Sequence, residues 1–176
     1  MKERRWMLDA ERSSLRFGFT GARGEPVHGS FETWSATLTM DPDALGEAKV
    51  EVRVAAESVE TGDLRTNEVL RGRLMLDVAS HRVFGFSGRQ AVLAQGARWR
   101  LLGDLTIKDS TVPLLVDVGW GGVVPEGTRN SVRASCTARC SFDPARFGMG
   151  PAIGEAAGPA IVEVEITAEF VCETRE

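Results

Sequence analysis

Three cysteines and two histidines are the residues of this 176-residue chain best suited to nucleophilic, redox or metal chemistry, and there is no tyrosine. Cys136 and Cys140 lie four apart in an alternating segment, and Cys172 stands near the end of the sequence. On one strand Cys136 and Cys140 point the same way but sit about 13 Å apart by the rise per residue, too far for a disulfide. His28 and His81 are not at ligand spacing to a cysteine or to each other, so the sequence assembles no zinc-type site. General acid–base chemistry most often uses a histidine or another positioned group of matched pKa, and the carboxylates here are scattered. The expectation is therefore no catalytic residues, no metal and no cofactor, with the cysteines as small interior side chains.

The elements that would position these residues are strands. Trp99, Leu101, Leu105 and Ile107 stand at every second place with Gly103 among them, and after Lys108-Asp109-Ser110-Thr111 the alternation resumes at Val112, Leu114, Val116 and Val118. Period-two alternation means one face in a hydrophobic interior and one in water. The intervening turn is too short for a helical crossover, so the two strands are antiparallel neighbours. The same pattern runs through residues 13–19, 33–40, 50–54, 82–93, 132–142 and 162–172, making eight or nine strands. Asp63–Arg71 breaks it with a spacing of three to four between Gly62 and Gly72 and reads as a short helix. Asp143-Pro144 reads as a cap followed by a single turn, and residues 150–158, rich in Gly, Ala and Pro, read as a flexible loop.

Composition narrows the function. The net charge is −4, unsuited to generic phosphate-backbone binding, so no nucleic-acid partner is expected. No apolar run approaches the ~18 residues of a membrane span, and Trp6-Met7-Leu8 is interrupted by Asp9, Glu11 and Arg12, so no signal peptide is read. These two observations predict a cytoplasmic protein. Residues 1–176 read as a single domain, without repeats. Long antiparallel strands in this number close rather than leave edges exposed. An eight-stranded barrel is either filled by its own side chains or hollow enough for one ligand. Inward residues here mix large ones (Phe17, Phe19, Trp34, Phe84 or Phe86, and Trp99) with small ones (Ala36, Gly103, Ala134, Cys136, Ala138, Ala168). The small ones weakly favour a cavity.

Several motifs in order then resemble one family. Trp6-x-Leu8-Asp9, Ser14-x-x-Phe17 and Val27-x-Gly29-x-Phe31 are similar to the opening of the YceI-like, lipocalin-like polyisoprenoid-binding proteins. Ala56-x-Ser58-x-x-Thr61-Gly62-x-x-x-Arg65 resembles the stretch before that family's helix. Phe86-Ser87, Gly103-Asp104-Leu105-Thr106-Ile107 with Val112-Pro113, and Phe147-Gly148 resemble its later motifs. The resemblance spans residues 6–172. It implies an elongated eight-stranded antiparallel β-barrel, all-β and lipocalin-like, with one short helix across one end. It also implies an isoprenoid-type lipid in the interior, such as a prenylated quinone or a polyprenyl lipid, and no catalytic residues. The chain departs from the family where a histidine usually follows the first phenylalanine strand, since Gly21 stands there, and at Asn67, Leu74-Met75 and His81-Arg82.

A dry tunnel suits such a ligand. Each buried CH₂ is worth about 0.8 kcal/mol, so even a few isoprene units outweigh the ordering of the chain. The expected apolar lining is Phe17, Phe19, Trp34, Leu38, Val52, Val54, Phe86, Leu105, Ile107, Val116 and Cys136, with the register near Phe84 and Phe86 open because a one-residue slip reverses the face. Arg65 is the polar candidate, either pairing with an acid such as Asp104 or meeting a head group. The leading reading is a carrier or store for an isoprenoid or other long-chain apolar lipid. The alternatives are a structural or stress-related interaction protein with a filled barrel, perhaps a homodimer through an exposed strand face, and, least favoured, an enzyme acting on an isoprenoid in the cavity.

Overall fold

A computed structural model describes residues 2–21, 24–127, 130–150 and 161–173. The expected loop at 150–158 lies, apart from Gly150, outside the described residues. The strands are β1 (Arg4–Leu8), β2 (Ser14–Thr20), β3 (Pro26–Phe31), β4 (Trp34–Met40), β5 (Lys49–Ala55), β6 (Val59–Glu60), β7 (Val83–Gln95), β8 (Arg98–Ile107), β9 (Ser110–Pro125), β10 (Ser131–Phe142) and β11 (Val162–Glu173). The helix is α1 (Leu64–Arg71). Among the described residues no helix is long and apolar enough to cross a membrane.

These segments make eight barrel strands, because three of the eight are broken once. β11 pairs with β1 through Val171–Met7 and Phe170–Leu8, and with β2 from Thr167–Ser14 to Glu163–Gly18. A 3-10 turn at Ala10–Arg12 separates β1 from β2. β4 and β3 are likewise two halves of the next strand, facing β1 and β2. β5 and β6, split by a turn at Ala56–Ser58, form the third. β7 to β11 follow in order, every pairing is antiparallel, and the β1–β11 pairing closes the ring. The β8–β9 hairpin keeps the alternation expected of it, with a turn trimmed to Lys108-Asp109 and Lys108 at φ 56°.

Closure leaves two ends. At one, the helix end, α1 and the 3-10 turn Pro144–Phe147 lie over the barrel. Asp63 caps α1 by accepting the Arg65 N–H, and Asp143 caps its turn by accepting the Ala145 N–H, both at 2.9 Å. Proline at the first turn position has no N–H to lose, which bears out the single turn read from Asp143-Pro144. At the other, the terminal end, Trp6 is fully buried with Ala36, Leu38, Met40, Ala134, Ala168, Phe170 and Cys172. A second buried cluster at the helix end joins Phe17, Val59, Leu70, Met75, Leu76, Leu105, Ile107, Phe147 and Met149.

Two polar hubs tie the ends down. On the barrel's outside, Arg133 donates from Nη1 to Asp9 and Glu169, both at 2.9 Å, and its other nitrogen meets Glu126. Hydrogen bonds from Arg133 hold the Asp9 and Glu126 carboxyls below their ordinary range, and the acids in turn keep the guanidinium protonated. At the helix end Asn67 is buried. Its amide oxygen accepts from the Thr61 N–H (2.8 Å) and Oγ1 (2.7 Å), and its amide nitrogen donates to Glu60 (3.0 Å). That bond, with the Gly62 N–H, lowers the Glu60 pKa.

Candidate ligand cavity

The barrel is hollow. A cavity of about 950 Å³ lies within it, so the filled-barrel alternative loses its structural premise. Strand alternation builds the wall: Leu15, Phe17 and Phe19 from β2, Trp34, Ala36, Leu38 and Met40 from β4, and Val50, Val52 and Val54 from β5 all face it. So do Phe84 and Phe86 from β7, which settles the register left open there. β8 adds Leu105 and Ile107, β9 adds Val116, and β10 adds Cys136. Thus Phe17, Phe19, Trp34, Leu38, Val52, Val54, Phe86, Leu105, Ile107, Val116 and Cys136 all stand on one wall.

The wall is almost entirely apolar. Among the described residues, beyond apolar side chains, glycines and thiols, it includes only Thr20, Lys49 and Asp143, and the Asp143 carboxylate is already engaged as a cap. Four phenylalanines form a chain of ring contacts at the helix end: Phe19–Phe17 stacked at 6.2 Å between centroids, Phe17–Phe31 at 5.3 Å and Phe31–Phe84 edge-on at 5.0 Å. Cys136 and Cys140 both face the cavity, and burial pushes each thiol up to about 11. At neutral pH they are protonated, weakly polar wall groups.

Small inward residues do not all add space. A Cβ on Gly103 would lie 2.4 Å from Cζ of Phe86, and one on Gly29 would lie 2.5 Å from Cζ of Phe17. Each glycine is a recess into which a neighbouring ring folds, so the room expected at Gly103 belongs to Phe86. By contrast Ala36, Ala138, Ala168 and Cys136 do border the cavity.

Arg65 is exposed on the outer side of α1 and is not on the wall. Its suggested partner Asp104 is paired with Arg89 instead. The arginine that anchors the helix is Arg71, which donates to the carbonyls of Glu57 (2.9 Å) and Val59 (3.1 Å). Sequence reading also missed Leu70, Met75 and Leu76, wall residues from the helix and the turn after it. A short non-strand segment offers no alternation to show which side faces in. Gly21 reaches the cavity, whereas His81 lies 3.9 Å from the exposed Asp109.

An up-and-down antiparallel barrel of eight strands around a large apolar cavity defines a hollow-barrel architecture of the lipocalin-like kind. The YceI-like domain model matches residues 6–172, and the chain belongs to that family. Solved structures similar to it include BcnA of Burkholderia cenocepacia, at 20% identity and a TM-score of 0.74, covering 94% of this chain and 99% of that one. The YceI protein of Campylobacter jejuni is 19% identical with a TM-score of 0.73, covering 85% of this chain and 86% of that one. A polyisoprenoid-binding domain from Saccharophagus degradans, implicated in plant cell wall breakdown, is 16% identical with a TM-score of 0.67, covering 97% of this chain and 98% of that one. No curated protein matches the chain.

Proposed function

We propose that this protein binds a long, apolar, isoprenoid-type lipid inside the barrel and serves as its carrier or store. The observation that carries the reading is the cavity of about 950 Å³, walled from nearly every strand by apolar side chains. Three or four isoprene units bring more than about ten kcal/mol of gross transfer free energy into such a space, enough to offset the ordering of the chain. The likeness to a polyisoprenoid-binding domain supports the ligand class. Selection then rests on length and width, with little demand on a head group.

Within that class a prenylated quinone suits the wall. Conjugate addition to a quinone ring requires a thiolate, and both cavity cysteines are held as thiols, with pKa values near 11. Such a ligand would lie beside them unmodified. Binding rather than catalysis is the reading because the ionisable wall groups among the described residues are two protonated thiols, a capping carboxylate and Lys49 at the terminal end. The test is organic extraction of the purified protein followed by mass spectrometry, with titration of a prenylated quinone into the extracted chain. A polyprenyl species in the extract and saturable binding are expected. Repeated absence of any apolar molecule, with no binding in the titration, overturns the proposal.

A further inference from the structure

One hairpin outruns the strand beside it. β5 pairs with β7 only as far as Val50–Gly88. Beyond that point β7 pairs with β8 alone, while Arg98–Arg100 of β8 stay paired with Gly119–Asp117 of β9, so residues 89–98 form an arm of the terminal rim that β5 does not cover. The register shifts by one residue between Gly88 and Gln90, leaving Arg89 unopposed. This bulge reverses which residues face inward. The pairs after it are Ala91–Leu101 and Leu93–Trp99. Ala91, Leu101 and Trp99 are part of the cavity wall, and Leu93 continues the same face outward at 53% exposure. Val92, on the arm's other face, is 55% exposed. An apolar strip therefore leads from the cavity to the tip of the arm.

The arm's charge is as distinctive as its apolar strip. From Arg89 to Arg100 the hairpin holds three arginines and no carboxylate, in a chain of net charge −4. Arg89 is paired with Asp104, and Arg100 lies 3.8 Å from Asp117 with both side chains mostly in solvent. Arg98 stands beside the turn, and Glu47 belongs to the neighbouring turn that packs against β7. Exposed apolar side chains bracketed by arginine and tryptophan match the chemistry of an anionic bilayer interface. A second copy adding to the edge of β7 is disfavoured by the Leu45–Glu47 turn packed against it, by the two bulges and by the arginine charges.

We propose that the β7–β8 arm docks on anionic lipid bilayers, so that an apolar cargo passes between membrane and cavity along the Leu93–Trp99–Leu101 face. The purpose rests on the lipid-carrier reading above, but docking itself is measurable without any cargo. The full chain is sedimented with phosphatidylcholine vesicles with and without phosphatidylglycerol, across a salt series. Binding to the phosphatidylglycerol vesicles, weakening as salt rises, is expected. Val92→Ser with Leu93→Ser lowers the partition coefficient about tenfold, and Arg98→Gln lowers it about fivefold. These side chains are exposed, so the melting temperature stays that of the parent. No sedimentation with anionic vesicles, equal binding by the variants, or association only with a soluble protein or with itself each overturns the proposal. A chain that carries lipid but ignores vesicles overturns docking alone. One that binds vesicles but never yields or takes up an apolar molecule overturns the cargo reading alone.

Discussion

The two ends of the barrel are finished by different means. At the terminal end the strands themselves close part of the interior: Trp6 from β1 is wholly buried against Ala36, Ala134 and Ala168, whose small side chains admit the indole. At the helix end the cover is non-strand chain, α1 with its following turn and the 143–150 segment, joined where the Gly150 N–H donates to Leu74 at 3.2 Å. A strand plug is held by ladder hydrogen bonds on both sides, whereas a covering segment is held by a few side chains and caps. In a hollow barrel the first is a place to store stability, and the second can yield at lower cost.

The largest effect separating the ends is expected at Trp6. Trp6→Ala removes a fully buried aromatic from a packed cluster and lowers stability by about 3–5 kcal/mol, measured by urea unfolding. Trp6→Phe is milder, about 1–2 kcal/mol, because a ring still fills most of the site; both substitutions remove an indole N–H that is buried without a hydrogen-bond partner among the described residues. Equal losses for the two substitutions would mean that a phenyl ring does not fill the site the indole leaves.

Midway between the ends, the cavity cysteines probe how dry the wall is. Their ordinary value of 9.0 rises to about 11 through burial, so the thiolate fraction at pH 8 falls about a hundredfold. Alkylation of Cys136 and Cys140 by iodoacetamide is expected to be slower by at least that factor than in the urea-unfolded chain. Mass spectrometry of timed digests reads it out. Rates near those of the unfolded chain would mean that water and reagent enter the barrel freely.

Most of this wall was legible in the sequence, for a physical reason. A strand half in water writes its inward face as every second residue, and Phe17, Trp34, Leu38, Val52, Leu105 and Val116 follow from that pattern alone. Legibility fails where the period fails. The bulge at Arg89 turns Ala91 inward, and no residue type announces it. Leu70, Met75 and Leu76 belong to a cover with no two-residue repeat. Gly103 read as free space, and only the three-dimensional path of Phe86 shows it filled. Arg65 was singled out by motif, while Arg71, one turn and a half further on, makes the bonds that hold the helix.

At the helix end the corresponding anchor is Asn67. Asn67→Ala leaves the Thr61 N–H without its acceptor and the Thr61 hydroxyl with the Asp63 carbonyl at 3.2 Å, and is expected to lower stability by about 2 kcal/mol, less than Trp6→Ala. Hydrogen exchange sharpens the distinction: amides of residues 64–76 should lose protection in Asn67→Ala while those of β1 and β11 keep theirs. Uniform loss across both ends would show that the cover and the barrel unfold as one unit.

Acid separates the two polar hubs by the smallest effect. Asp9 and Glu126 have pKa values held below their ordinary 3.8 and 4.5 by hydrogen bonds from Arg133, and Glu60 is held below 4.5 by Asn67. A depressed carboxyl contributes stability that is fully present above its unfolded value and is lost as pH falls through the folded one. Melting temperature should therefore be level from neutral pH to about 5 and decline below about 4. Arg133→Gln removes the reason for depression at Asp9 and Glu126, so its melting temperature starts lower and falls less between pH 5 and 3. Asn67→Ala affects only Glu60, which keeps its bond from the Gly62 N–H at 2.7 Å, and its acid slope should stay close to that of the parent. The reverse order would place the acid-sensitive joint at the helix end, making the cover, and not the Arg133 hub on the barrel's outside, the first element that protons release.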